Sequence, residues 1–419
     1  MSHTPAASSD GSAADEGAPP SSKMSASTRS TLLGAMFLMA TSAIGPGFIT
    51  QTTAFTVELG AAFAFAIAVS ILVDIVLQLN VWRIIGVSGR RAQELGNLVL
   101  PGLGYAMAAL LLLGGLVFNV GNVSGAGLGT DAMFGLDPRI GGAISALIAI
   151  GIFLSKRAGV AIDRIVVVLG LVMITLTTYI AIVSGPPVGQ ALKNVVLPEE
   201  LSFLAITTLI GGTIGGYIVY AGAHRLLDSG VSGPGHVREI TRGSIIGIII
   251  TGVMRIILFL AILGVVSGGA SLDPDNQAAS AFSQAAGEVG LRVFGVVLWA
   301  AAITSVIGAS YTTVTFVTSR TKTSERTRTI LVCAFIVFTT MVFVAVGTAP
   351  TTLLVFAGAF NGLLLPFGIG VLLWVATRRA DLLNGYAYPR LLVSVGWVAW
   401  LLTVYLAVNS VRPVIELFA

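Results

Sequence analysis

The chain has 419 residues, of which 55% are hydrophobic and 10% charged, with a formal net charge of +4 and a mean hydropathy of +0.94. A soluble domain carries about 25% charged residues, so this chain cannot cover itself with a water-facing surface. Its basic residues sit in short loops between apolar runs, which excludes a nucleic-acid-binding role.

The apolar runs reach about 20 residues, the length that crosses a hydrocarbon core of roughly 30 Å. They are continuous rather than alternating, which selects helices over a closed barrel. The predicted class is therefore an all-α integral membrane protein. Residues 1–28 are rich in Ser, Ala, Gly and Pro and lack the apolar core of a signal peptide, so they predict a disordered cytoplasmic tail. Residues 29–419 are expected to form one transmembrane domain. Eleven spans follow in order, at roughly 31–58, 62–86, 102–127, 139–155, 163–184, 202–226, 243–267, 291–318, 328–348, 351–377 and 389–411.

Alternate loops divide sharply by charge. One side holds most of the Lys and Arg, among them Arg83, Arg90, Arg91, Arg225, Arg238, Arg242 and Arg379, whereas the other holds Arg139, Lys193, Arg292 and Arg412. The positive-inside rule then predicts a cytoplasmic N-terminus and an outside C-terminus in the cell membrane. The single cysteine, Cys333, excludes an intramolecular disulfide and any multi-cysteine metal site, and its apolar setting predicts a small buried hydrophobe.

Two spans carry helix-breaking residues. Span one contains Gly45-Pro46-Gly47, and span six contains Gly211-Gly212 followed by Gly215-Gly216. Proline removes a helix hydrogen bond and glycine weakens the helix. Close packing of small residues is the competing explanation. Spans one and six, however, open successive five-helix blocks, about 31–184 and 202–377. Interrupted helices at matching positions of two inverted repeats point to a transport site at the bilayer midplane. The predicted fold is two inverted five-helix repeats with broken helices 1 and 6 plus one extra helix.

Three further segments carry a resemblance. They are Leu77-Gln78 with Gly86-Val87-Ser88-Gly89-Arg90 and Glu94-Leu95, the run from Gly125 to Met133-Phe134-Gly135, and Leu365-Pro366-Phe367. With the two breaks, they resemble the natural resistance-associated macrophage protein (NRAMP) family of divalent-metal transporters from about residue 35 to 375. That resemblance implies the inverted-repeat fold and divalent-metal transport. The family's metal ligands are substituted here. Its Asp-Pro-Gly-Asn of helix 1 is matched by Gly45-Pro46-Gly47-Phe48, its Met-Pro-His of helix 6 by Gly215-Gly216-Tyr217, and its acidic pair on helix 3 by Asn119 and Asn122.

The candidate substrate-binding residues are Gly45, Gly47, Phe48, Gln51, Asn119, Gly215, Gly216 and Tyr217. Half-helix N-termini attract anions, and Phe48 and Tyr217 offer aromatic walls. The first expectation is therefore a small carboxylate-bearing organic solute. The alternative is a divalent metal ion (manganese, iron or magnesium) held by carbonyls and amide oxygens, and a lesser one is a non-transporting sensor. No arrangement for intramembrane catalysis occurs and no cofactor is called for. On span eight, Thr304, Ser305 and Ser310 are expected to bond their own helix carbonyls. Asp74 and Arg255, central in spans two and seven, are predicted to form a coupling or structural ion pair, because an unpaired charge there is costly. Beyond the bilayer and its substrate, the sequence implies no partner.

Overall fold

The computed structural model describes residues 44–228, 230–318, 323–346 and 349–418, with the backbone alone for 156–167. The predicted tail and the first half of span one lie outside the described residues. The described residues are helical, with α1 at Pro46–Leu59, α2 at Phe63–Ser88, α3 at Ala92–Val99, α4 at Leu103–Phe134, α5 at Pro138–Leu154, α6 at Lys156–Val183 and α7 at Val188–Val196. There follow α8 at Phe203–Ile214, α9 at Ile218–Asp228, α10 at Val237–Ser267, α11 at Gln277–Val317, α12 at Glu325–Val346, α13 at Pro350–Arg378 and α14 at Arg390–Glu416. Spans one to five correspond to α1, α2, α4, α5 and α6. Span six is α8 with α9, and spans seven to eleven are α10 to α14.

Among the described residues, eight helical runs are long and apolar enough to cross a membrane, or nine if α6 and α7, bent by 104°, count as one. The run Pro46–Ser88 contains both span one and span two, and the 17-residue Pro138–Leu154 is the short fourth span. Helices at ten of the eleven predicted spans, and at the second half of span one, are present among the described residues. Local chemistry sets the ends. Asp137 accepts from the amides of Arg139 and Ile140, capping α5 ahead of Pro138. Ser202 accepts from the Ala205 amide at 3.1 Å and starts α8. The long α11 bends at Gly287, so its first ten residues form a separate helix before span eight.

The bundle is held by three apolar clusters. The largest joins α1, α2, α8, α9, α10 and α13, and another joins α4, α5, α11, α12 and α13. The third links α1, α4, α6, α10 and α11. The arginine-rich loops bond to one another at one end. Arg379 donates to the Leu98 carbonyl, Asn384 to that of Val87, Arg83 to the Thr241 hydroxyl, and the Gly233 amide to the Gly86 carbonyl. At the other end Asn276 donates to Asp131, and Arg292 to the Met133 carbonyl. This grouping matches the loop sides read from charge. Cys333 differs from expectation, since it is partly exposed rather than buried.

Candidate functional site

Helix six is interrupted where its glycines cluster. α8 ends at Ile214, Gly215 is extended with φ −72° and ψ 164°, and α9 begins at Ile218. Gly216 adopts φ +53°, a left-handed conformation that glycine takes without strain. The Gly215 carbonyl accepts from the Ile218 amide, and the Tyr217 carbonyl from those of Tyr220 and Ala221, which restarts the helix. In span one, α1 begins at Pro46 behind an extended Gly45. The proline ring lies in a notch on α4 that any side chain at position 125 would fill.

Gln51 joins the start of α1 to the break in helix six. Fully buried, it donates to the Leu354 carbonyl at 2.8 Å, and its side chain fits against Gly47, Gly212 and Gly358. Its Oε1 sits over Gly212 and has no hydrogen-bond partner among the described residues. Across the break, Asn361 donates to the carbonyls of Gly114 and Ala357, which turns its own unpartnered Oδ1 toward Gly216. Two buried amide oxygens thus face the interruption of helix six from α1 and α13. Tyr217 is fully buried and meets Phe118 edge to face at 5.6 Å. Trp82 donates to the Val219 carbonyl at 3.0 Å, tying α2 to the restarted helix.

The expected Asp74–Arg255 pair is brought together without direct contact. Both residues are about 1% exposed and lie within Coulombic reach of each other, but no direct bridge between them forms. The Arg255 guanidinium instead stacks over the Phe48 ring at 4.5 Å, and its Nε and Nη2 have no hydrogen-bond partner among the described residues. Asp74 lies within hydrogen-bonding reach of the Thr213 hydroxyl, whose proton goes to the Leu209 carbonyl at 2.7 Å, and Asp74 Oδ1 has no hydrogen-bond partner among the described residues. An aromatic face attracts a cation by up to about 2 kcal/mol when dry, which explains the placement of Arg255. This charged group therefore adjoins both breaks, through Phe48 on α1 and Thr213 on α8.

Asn119 does not join this group. Its amide donates to Ser310 at 3.1 Å and Thr339 at 2.8 Å, linking α4 to α11 and α12. Gly45, Gly47, Phe48 and Gln51 lie at the start of α1, and Gly215, Gly216 and Tyr217 at the break of helix six. Asn361 is the residue missed by sequence reasoning, although a lone amide in an apolar span was a usable signal. On span eight, Thr304 and Ser310 bond their own helix carbonyls as expected.

The site is closed. A crevice of about 10 Å³ between Met107, Leu111, Tyr220 and Leu365 reaches Gly216, with room for at most one water. At the arginine-rich end, Arg91 bridges Asp228 at 3.0 Å and donates to the carbonyls of Thr315 and Thr318. It fastens the end of α9 to the end of α11. Arg91→Ala removes the buried bridge to Asp228 and frees these carbonyls. It should cost about 3 kcal/mol, the low end for a buried pair because Asp228 is 23% exposed. A thermal midpoint unchanged in detergent would show that the bridge holds nothing.

A profile described as natural resistance-associated macrophage protein-like matches residues 36–412. The chain is 53% identical over 367 residues to the membrane protein YcsG of Bacillus subtilis, covering 88% of this chain and 90% of that one. It is 49% identical over 390 residues to a membrane protein of Haemophilus influenzae, covering 93% and 98%. Among solved structures, a manganese transporter of Eremococcus coleocola superposes with a TM-score of 0.73 at 20% identity, covering 94% of this chain and 90% of that one. MhsT in complex with L-phenylalanine superposes with a TM-score of 0.66 at 16% identity, covering 90% and 98%. At these identities the two structures establish the fold alone. The family match runs through both breaks and every described span, and this chain, a multi-pass membrane transporter, belongs to the natural resistance-associated macrophage protein-like family.

Proposed function

We propose that the chain is a secondary transporter that carries a small solute through the space between the breaks of helices one and six. The two five-helix repeats, about 31–184 and 202–377, would rock around that space, with the arginine-rich end cytoplasmic, the N-terminus inside and the C-terminus outside the cell membrane. Family membership supports a divalent metal ion as cargo, and this reading takes precedence over the carboxylate-bearing solute expected first. The observation that carries it is the pair of unpartnered amide oxygens, Gln51 Oε1 and Asn361 Oδ1, facing the helix-six break. Oxygen donors of this kind suit hard cations such as manganese or magnesium. Among the described residues no three His, Cys, Asp or Glu side chains converge, so neutral oxygens and break carbonyls would hold the ion.

A specific observation favours a second reading. Arg255 is buried beside Phe48 with two guanidinium nitrogens unpartnered. A fixed positive charge repels a dication and matches a carboxylate in a bidentate fork. Purified protein in liposomes separates the two. Saturable manganese entry, read by quenching of an enclosed fluorophore, is the result expected of the metal reading. Saturable entry of labelled carboxylates without manganese flux establishes the second. Entry of neither contradicts transport and leaves a sensor.

A further inference from the structure

An open groove of about 700 Å³ lies between the end of α2 and the start of α10, at the arginine-rich end. Its lining includes Arg83 from α2, Arg238 and Arg242 from α10, and the apolar Val237, Ile245 and Ile246. Three guanidinium groups from two helices thus share one concavity. None of the three enters an ion pair with a described carboxylate. Arg83 is held by its bond to Thr241 at 2.7 Å, and its Nε has no hydrogen-bond partner among the described residues. Glu239, the acidic residue nearest in sequence, is not part of the lining. The groove also sits at the N-terminal end of the 31-residue α10, where the helix dipole adds partial positive charge.

Below the arginines the same face of α10 turns apolar and stays exposed. Ile249, Ile250, Val253 and Ile256 are 50%, 44%, 51% and 43% exposed. With Ile245 and Ile246 they recur at helical spacing and form a continuous stripe into the membrane. A cationic concavity at the interface above an apolar stripe has the two-part chemistry of a phospholipid, an anionic headgroup with acyl chains beneath it.

We infer that this groove binds the headgroup of an anionic phospholipid of the surrounding membrane, with the acyl chains lying along the exposed face of α10. The site is separate from the transport path and does not depend on which solute is carried. Arg238 and Arg242 take the phosphate from the exposed side, and Arg83 closes the groove from α2. By anchoring the cytoplasmic ends of α2 and α10 to one lipid, the site would couple bilayer charge to the packing of helices that flank both breaks.

The test uses full-length protein purified in uncharged detergent and titrated with phosphatidylglycerol or phosphatidylcholine. Native mass spectrometry reads the lipid-bound fraction. Phosphatidylglycerol should be retained at least tenfold more than phosphatidylcholine. Arg238→Gln with Arg242→Gln should weaken that retention about thirtyfold, each basic side chain near an anionic surface being worth about fivefold. Arg90→Gln, an exposed arginine at the same end but outside the groove, should leave retention unchanged. Equal retention of the two lipids by the unmodified protein overturns the inference, as does unchanged retention in the double variant. Displacement of phosphatidylglycerol by millimolar glycerol phosphate would assign the groove to a free phosphate ligand and also overturn it.

Discussion

Arg255→Met alone should lower stability by about 3 kcal/mol, whereas Arg255→Met with Asp74→Asn should be as stable as the unmodified protein or more so. Removing the arginine leaves Asp74 buried without its compensating charge, which typically costs about 3–5 kcal/mol. It also removes the stacking of the guanidinium on Phe48. Two guanidinium nitrogens lack hydrogen-bond partners, so the substitution relieves some desolvation cost and the expected loss sits at the low end. Neutralising both positions removes both desolvated charges, and such replacements are often neutral or stabilising by about 1–4 kcal/mol. Thermal unfolding midpoints in detergent give the comparison. Transport should be lost in both variants, because the charged group adjoins both breaks. A double variant as unstable as the single would show that the two charges do not compensate each other.

Gly216→Val should reduce uptake by more than tenfold while leaving the protein in the membrane. The position has φ +53°, where a β-branched residue is an outlier costing about 1–3 kcal/mol. A Cβ there also runs into the Asn361 amide and approaches Phe118, adding overpacking of about 1–3 kcal/mol. Adding Asn361→Ala removes the main collision but not the backbone strain, so it should restore uptake only in part. Full uptake by Gly216→Val would mean that the break tolerates a side chain and is not needed in its observed form.

The positions of the spans were legible because a helix in lipid must be apolar over a fixed length. Loop charge correctly grouped their ends, since Arg91, Asp228, Thr318 and Leu98 meet at one end as the arginine count implied. The break in helix six and the start of α1 at Pro46 were legible because glycine and proline act locally. What the sequence hid depends on helix rotation, which a span that is apolar on every face does not reveal. Asn119 was placed at the breaks, but its side chain turns to Ser310 and Thr339. Asp74 and Arg255 were correctly brought near each other, yet the competing attractions of Phe48 and Thr213 were not visible in a charge count. Asn361 matters only because α13 packs its glycines against α8, a relation between segments about 150 residues apart.

The central claim is that an aqueous path opens at the two breaks, and it can be tested without knowing the cargo. In a Cys333→Ser background, Thr50→Cys places a thiol on the first turn of α1 at a position now 5% exposed. Val253→Cys places one on the lipid-facing surface of α10, 51% exposed. Protein in sealed liposomes is treated with a charged, membrane-impermeant thiol reagent, and the labelled fraction is measured over time. The account predicts that the thiol at position 50 is labelled as the transporter opens and the one at position 253 is not, despite its greater exposure. Labelling absent at position 50 from both sides of the membrane, under gradients of metal ions and of carboxylates alike, would contradict it.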